Sequence, residues 1–241
     1  MSAPFGGAPS LPFGTADGSA QDGSEGHVDI HDELAKLDRQ HYQWYYSTRE
    51  ADDNMCNCPQ GIHDFFRAYY HYKSADWTDN KPFTLKSWTA AEIANMPSYY
   101  VMDLDKGMAE TVAPAMPSVE EIASCKWLPD EELAVYSSEF GRNGFQGGFQ
   151  WYRCGTSGKN PADLQLFAGR TIDVPSCFIG GASDWGVFQR PGNFEKMQNS
   201  ACTQIKGIHL VDGAGHWVQQ EQPEIVSEIL IQFLKNLGAR N

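Results

Sequence analysis

Two short runs decide the fold: "TIDVPSCFIGGASDWG" at residues 171–186 and "IKGIHLVDGAGHW" at residues 205–217. Each contains β-branched and other apolar residues and ends in glycines, which is typical of a buried strand followed by a tight loop. Helical sequence lies between the two runs and after the second. This alternation predicts right-handed crossovers in a parallel sheet.

The loops after these two strands contain an acid and a base. Asp184 lies in "GGASDWG" and His216 lies in "DGAGHW". Parallel sheets place ligand-binding residues on the loops after the carboxyl ends of their strands. A carboxylate bonded to one imidazole nitrogen fixes the tautomer and leaves the other nitrogen free to take a proton. Alone, Asp184 would be an ordinary turn former and His216 an exposed side chain; together they predict an acid–base pair.

Upstream of the strands the sequence favours helices. Residues 6–29 are rich in Gly, Pro, Ser and Asp, the composition of a flexible connection after the short apolar opening "MSAPF". The end of the chain predicts the clearest helix, with one apolar face. The predicted helices are residues 30–47, 61–77, 89–95, 118–125, 130–141 and 145–153, and the apolar face of the last helix comprises Ile225, Val226, Ile229, Leu230, Phe233, Leu234 and Leu237.

Composition excludes several classes of function. The 241 residues are 41% hydrophobic and 20% charged, which is typical of one soluble globular domain. A formal net charge of −13 argues against nucleic acid or anionic membrane as a partner, because both need clustered Lys and Arg. No signal peptide or bilayer-spanning run is visible, so we expect a cytoplasmic protein that binds a small molecule.

The cysteines do not predict a disulfide framework or a metal site. Six are scattered along the chain, and the one close pair, Cys56 and Cys58, is too closely spaced for a zinc knuckle. His63 and His71 lie near that pair, but the spacing matches no known ligand pattern. We therefore expect reduced thiols and no metal at these residues.

Three separated stretches resemble one known family. They are "FIGGASDWG", "GAGHWVQQEQPE" and, at residues 135–153, "VYSSEFGRNGFQGGFQWYR". In this order they resemble the α/β-hydrolase superfamily and, within it, the soluble epoxide hydrolases. The resemblance implies a partial α/β-hydrolase fold: about the last three strands of a parallel sheet, with a large inserted helical cap.

The same resemblance implies domain boundaries. Residues 1–29 would be a remnant of the sixth strand, formed by "MSAPF", followed by a linker. Residues 30–155 would be the helical cap, and residues 156–241 the carboxyl-terminal segment of the hydrolase core.

The resemblance also implies roles for four residues and a reaction with no metal or organic cofactor. Asp184 would orient His216, and His216 would activate a water molecule that hydrolyses a covalent ester. Tyr136 and Tyr42 would donate hydrogen bonds to the oxygen of a small, apolar epoxide, which is converted to a diol. Tyr45 or Tyr46 is the alternative to Tyr42. Packing of aromatic side chains within the cap is the plainer explanation for all of these tyrosines.

One part of the family pattern is missing. The nucleophile should precede Asp184 in a Gly-x-nucleophile-x-Gly turn. Only Gly155-Thr156-Ser157 and Gly181-Ala182-Ser183 begin in this way, and neither has the second glycine. The sequence therefore resembles a carboxyl-terminal half that is inactive alone.

An unpaired sheet edge predicts that this half is unstable alone. We expect it to form a homo-oligomer or to bind a complementary amino-terminal half. Two other functions stay open: a dehalogenase or esterase of the same fold, and a non-catalytic fragment or partner-dependent half.

Overall fold

The structure, a computed structural model, describes residues 2–8, 30–156 and 166–238. Its strands are β1 (Arg39–His41), β2 (Val101–Asp103), β3 (Ser176–Gly181) and β4 (Ile205–Val211). Its α-helices are α1 (Ile30–Ala35), α2 (Tyr42–Ser47), α3 (Glu50–Cys56), α4 (Gly61–Lys73), α5 (Ala90–Ile93), α6 (Met108–Val112), α7 (Val119–Ser124), α8 (Asp130–Asn143), α9 (Gln146–Thr156), α10 (Trp185–Phe188), α11 (Asn193–Lys196), α12 (Val218–Glu221) and α13 (Pro223–Gly238). A 3-10 turn at Ala113–Ala115 and a π-helical segment at Met197–Ala201 complete the regular structure of these ranges.

The parallel pair predicted from the sequence is confirmed. β3 and β4 run parallel, with Phe178 opposite Ile208 and Gly181 opposite Val211. β3 begins at Ser176, five residues later than the start of the apolar run. Pro175 has no N–H to donate to a ladder, and Ile172 makes only an isolated parallel bridge upstream.

The predicted strand at the start of the chain is not formed in residues 2–8. Ser2 donates its N–H to the Ile179 carbonyl at 3.2 Å and its hydroxyl to the His216 carbonyl at 3.2 Å. One main-chain bond does not make a ladder, and Gly7 then turns the chain with a φ of 102°. The described part of the hydrolase-like sheet therefore has two strands instead of about three.

The single helix predicted at residues 30–47 is wrong. Asp38 adopts a left-handed φ of 56° after α1, and the chain then extends as β1, which pairs antiparallel with β2. The helical spacing of the aromatic residues resumes only in α2. This pairing is non-local, since Arg39 lies opposite Asp103.

Most other helices of the middle region lie close to their predicted positions. α7 begins at a capping box in which Ser118 and Glu121 exchange side-chain and backbone bonds. The helix predicted at 61–77 ends early at Lys73, because Ser74 is extended and bonds back to the His71 carbonyl. α3 and α6 were not predicted.

Two groups of buried side chains hold the molecule together. The sheet strands alternate: Ile179 packs with Val211 and Val226 on one face, while Phe178 packs with Val187 on the other. The predicted apolar face of α13 is largely uncovered, with Val226 as its one fully buried residue. The larger core belongs to the helices and includes Leu34, Phe65, Leu85, Ile93, Met102, Met108, Leu128, Leu133 and, from the sheet side, Trp185.

No helix in the described ranges is long and apolar enough to cross a membrane. All six cysteines lie in those ranges as free thiols.

Candidate active site

The acid and the base predicted from the sequence lie side by side. Asp184 comes three residues after β3 and caps the amino terminus of α10, where its Oδ1 accepts the Gly186 N–H at 2.7 Å. His216 comes five residues after β4. Its Nδ1 lies 3.1 Å from Asp184 Oδ1. With Nδ1 as the donor to this carboxylate, Nε2 is the nitrogen that is able to accept a proton.

Burial and charge set the protonation of this pair. Asp184 is 1% exposed and the His216 side chain 28% exposed. Burial lowers the pKa of His216, Lys73 lowers it further, and Asp184 opposes both. Burial acts to raise the pKa of Asp184, but the His216 imidazole, the Gly186 N–H and Lys73 together hold it below its usual value. The neutral imidazole beside an ionised carboxylate is thus favoured, which is the state a general base requires.

Two glycines let the loops approach each other. A Cβ on Gly181 would lie 2.1 Å from the Gly215 carbonyl oxygen, and a Cβ on Gly215 would lie 2.5 Å from the Lys73 carbonyl oxygen. Both obstacles are backbone atoms. The glycine pair at the end of β3 and the Gly-Ala-Gly turn before His216 are therefore steric requirements of the site.

Tyr42 lies in the helical core, near the pair. Its ring packs edge-on against Tyr100 and Tyr152. Its hydroxyl accepts a hydrogen bond from Gln43 Nε2 at 3.3 Å. Burial raises the pKa of Tyr42 to about 12, and Asp184 contributes to the rise, so the phenol stays protonated at neutral pH.

Tyr136, on α8, is half-buried and lies against a different part of the site. Its hydroxyl accepts a hydrogen bond from Gln220 Nε2 at 3.2 Å, and its ring centre is 5.4 Å from that of Tyr70. Gln220 belongs to α12, directly after the His216 loop. Neither a hydrogen bond nor a ring contact joins Tyr136 to Tyr42 in the described ranges.

The two alternative tyrosines face other groups. Tyr46 donates to the Tyr69 hydroxyl at 3.4 Å and stacks on Phe149. Tyr45 is buried near Met108 at the start of α6, and burial raises its pKa to about 12. Tyr42 alone among the three has a pKa on which Asp184 acts.

Sequence reasoning missed a buried cation beside the pair. Lys73 is 5% exposed, and its Nζ lies 5.2 to 5.6 Å from the ring centres of Tyr69, Tyr99, Tyr100 and Trp217. Its carbonyl accepts the His216 N–H at 2.9 Å. Lysine side chains are rarely buried. The sequence of an aromatic-rich helix therefore does not show that Lys73 is buried among aromatic rings.

Sequence reasoning also missed Glu221, which lies in the quoted "GAGHWVQQEQPE" stretch. Its carboxylate accepts backbone N–H groups on both sides of His216. Acidic residues at the end of a short helix are ordinarily solvated, so only the tertiary contacts single it out.

No group of three or more potential metal ligands occurs among the residues that the structure describes. Cys56, Cys58, His63 and His71 thus form no such group.

Part of the chain is similar in sequence to known proteins. No protein-family model matches the chain. Epoxide hydrolase A of Mycobacterium tuberculosis is 41% identical over 116 residues, which cover 47% of this chain and 34% of that protein. About half of this chain is thus homologous to epoxide hydrolases of the α/β-hydrolase family. Bifunctional epoxide hydrolase 2 of Rattus norvegicus is 33% identical over 122 residues, covering 51% of this chain and 20% of the relative.

Solved structures agree with the fold of this chain. Epoxide hydrolase from an endophytic Streptomyces matches with a TM-score of 0.64 and 23% identity, covering 87% of this chain and 56% of that one. Epoxide hydrolase A from Mycobacterium thermoresistibile matches with a TM-score of 0.59 and 24% identity, covering 95% of this chain and 60% of that one. The chain spans between a fifth and about a third of the curated relatives it matches and somewhat more than half of these structures.

Proposed function

We propose that this chain supplies the acid, the base and the oxygen-binding phenols of an epoxide hydrolase, and that the attacking carboxylate comes from the amino-terminal half of the complete enzyme. The observation that carries the proposal is the 3.1 Å contact between His216 Nδ1 and Asp184 Oδ1. Two loops that follow neighbouring parallel strands make this contact.

The tyrosines support an epoxide as the substrate. The hydroxyls of Tyr42 and Tyr136 each accept an N–H from a glutamine side chain, Gln43 and Gln220 respectively. A phenol that accepts one bond keeps its own O–H as a donor. Such donors stabilise negative charge that develops on an oxygen. In the proposed enzyme residues 30–155 form the cap that brings both phenols to the substrate.

The proposed reaction has two steps. A carboxylate of the partner half attacks an epoxide carbon, the carbon–oxygen bond breaks, and the new alkoxide takes a proton from a tyrosine, leaving an ester. His216 Nε2 then takes a proton from water, and the resulting hydroxide attacks the ester carbonyl. The diol leaves, the carboxylate is restored, and the imidazole returns its proton to the tyrosinate through solvent.

The missing nucleophile makes the complete reaction depend on a second half. Ser183, the one Gly-x-Ser candidate that the structure describes, lies in the Asp184 loop, and its N–H bonds the Ala214 carbonyl. It is therefore part of the turn that holds Asp184. We infer that the isolated chain does not hydrolyse epoxides.

The test fuses this chain to the amino-terminal half of a related epoxide hydrolase and measures hydrolysis of a styrene-type epoxide. We expect activity from the fusion, and its loss by a factor of about 10³ or more in His216→Gln, the scale of losing a catalytic base. Exposed His63→Gln is the control and should keep full activity. A His216→Gln fusion as active as its parent would refute the assignment.

Tyr136→Phe in the same fusion separates an epoxide hydrolase from a dehalogenase or esterase. Only the epoxide reaction needs a phenol at the leaving oxygen. We expect a loss of about 10²-fold in kcat on the epoxide, as for removal of one oxyanion donor, and little change on an ester.

A further inference from the structure

A carboxylate holds the loop of the proposed base. Glu221, at the end of α12, accepts the Gly215 N–H at 3.0 and 2.9 Å on its two oxygens and the Trp217 N–H at 3.0 Å on Oε1. Gly215 and Trp217 are the residues on either side of His216. The N–H of His216 itself goes to the Lys73 carbonyl at 2.9 Å. Three consecutive backbone donors around the imidazole are thus fixed by two acceptors.

The same carboxylate reaches the helical region. Ala75, in the segment after α4, donates its N–H to Glu221 Oε2 at 2.7 Å. Glu221 Oε2 thus bonds both the helical region and the loop after β4. Hydrogen bonds to an ionised acceptor are shorter and stronger than neutral ones.

We propose that Glu221 is a positioning residue for His216, which fixes the imidazole against Asp184 by tying residues 215 and 217 to the chain after α4. This rests on the role of His216 proposed above. Both carboxylate oxygens are needed, because each one accepts two of the four contacts. A protonated carboxyl group carries a hydrogen on one of its oxygens. That oxygen can then no longer accept both of its N–H contacts, so part of the four contacts is lost.

Burial and charged neighbours make the hydrogen bonds of Glu221 sensitive to pH. Burial raises the pKa of Glu221 to about 7, the backbone N–H groups of Ala75, Gly215 and Trp217 oppose the rise, and Asp76, from the segment after α4, adds to it. The other charged groups around the loop are His216 itself and Lys73, whose Nζ lies over the Trp217 ring. The full set of bonds is therefore present above neutral pH and is reduced below it.

The test is a pH titration of the backbone amide signals of Gly215 and Trp217 by NMR in the full chain. We expect both signals to titrate together with a midpoint near 7. They should not titrate in Glu221→Gln, and they should still titrate in His216→Gln, which excludes the imidazole as the source. Glu224→Gln, three residues further on and exposed, is the matched control.

Two further readouts separate positioning from general stability. The Cε1 proton of His216 should shift in Glu221→Gln but not in Glu224→Gln. Exchange of the Gly215 and Trp217 amides should speed up about tenfold in Glu221→Gln, the scale of losing a charge-assisted bond. Mass spectrometry at micromolar concentration gives the exchange rates where self-association broadens the NMR signals.

The proposal would be overturned if the Gly215 and Trp217 amides titrate neither in the parent chain nor in His216→Gln. This outcome can be measured even if Glu221→Gln does not fold. An unchanged His216 signal in a folded Glu221→Gln would also overturn it. Since no substrate is used, failure here is distinct from failure of the hydrolysis assay.

Discussion

At the scale of single residues, the sequence predicted that Asp184 and His216 form a pair, but it did not indicate the buried groups around them. Asp184 and His216 stand in glycine loops after apolar runs, so local pattern was sufficient to pair them. Lys73 acts on the pKa of both members of the pair, and Glu221 binds the backbone on either side of His216. Their effect depends on burial, which the sequence of a helix does not show.

The electrostatics of the pair lead to a prediction for Asp184→Asn. Asp184 raises the pKa of His216 through its charge and its hydrogen bond. We therefore expect the pKa of His216 to fall in the variant, as measured by NMR titration of the imidazole. Asp173→Asn, which removes an exposed carboxylate, is the control. An unchanged or higher pKa in Asp184→Asn would contradict the contact at Nδ1.

His41 gives a prediction for acid stability. Burial, assisted by the charges of Arg190 and His31, lowers the pKa of His41 to about 3. Below the ordinary value of 6.5 the unfolded chain binds a proton that the folded chain does not, so stability is lost as pH falls from 6.5 towards 3.

His41→Asn removes this proton but keeps an acceptor for the Gln43 N–H, which His41 Nδ1 caps at 3.4 Å. We expect the free energy of urea unfolding to drop between pH 7 and pH 5 by about 1–2 kcal/mol less in the variant than in the parent. His63→Asn, at an exposed histidine, should behave like the parent. Equal slopes in all three proteins would contradict the prediction.

At the scale of elements, the sequence predicted what local periodicity controls. α7, α8 and α9 lie near their predicted positions because caps and apolar spacing are local signals. β1 was predicted as helix, because its aromatic surroundings have helical spacing and its partner β2 lies some sixty residues away. The start of β3 was misplaced because a proline ends the ladder that the apolar run suggests.

Two glycine substitutions test which elements require close approach. In Gly181→Ala the new Cβ would lie 2.1 Å from a backbone oxygen of the His216 loop. We therefore expect the free energy of unfolding to fall by about 2 kcal/mol or more. In Gly148→Ala, within α9, the new Cβ meets nothing within 4 Å. We therefore expect the higher helix propensity of alanine to raise the free energy of unfolding by about 0.5–1 kcal/mol. Urea denaturation measures both, and similar effects of the two changes would show that the loops do not need this contact.

At the scale of the whole molecule, α13 carries apolar side chains that no other part of the described structure covers. Ile231 is 52% exposed and Leu234 63% exposed. A cavity of about 770 Å³ lies between β4 and α13, lined among others by Cys177 and His209. Apolar surface of this kind favours association with other chains.

We expect the purified chain to self-associate. Ile231→Glu with Leu234→Glu should shift it towards monomer in size-exclusion chromatography with light scattering, because two charges oppose burial of the helix face. Val119→Glu, at a side chain of α7 that is 77% exposed, is the control and should leave the association unchanged. A parent chain that is monodisperse, monomeric and unfolds in one cooperative transition would refute this expectation.

The sequence by itself determined the parallel strand pair, the helical region, the position of Asp184 and His216 in the loops after the two strands, and the tyrosine motif, since each depends on neighbours within a few residues. Only the tertiary structure decided that β1 is a strand, that residues 2–8 form none, and that Lys73 and Glu221 surround His216. These features depend on contacts between segments far apart in the chain, and their energies come from burial and from hydrogen bonds whose partners no local pattern names.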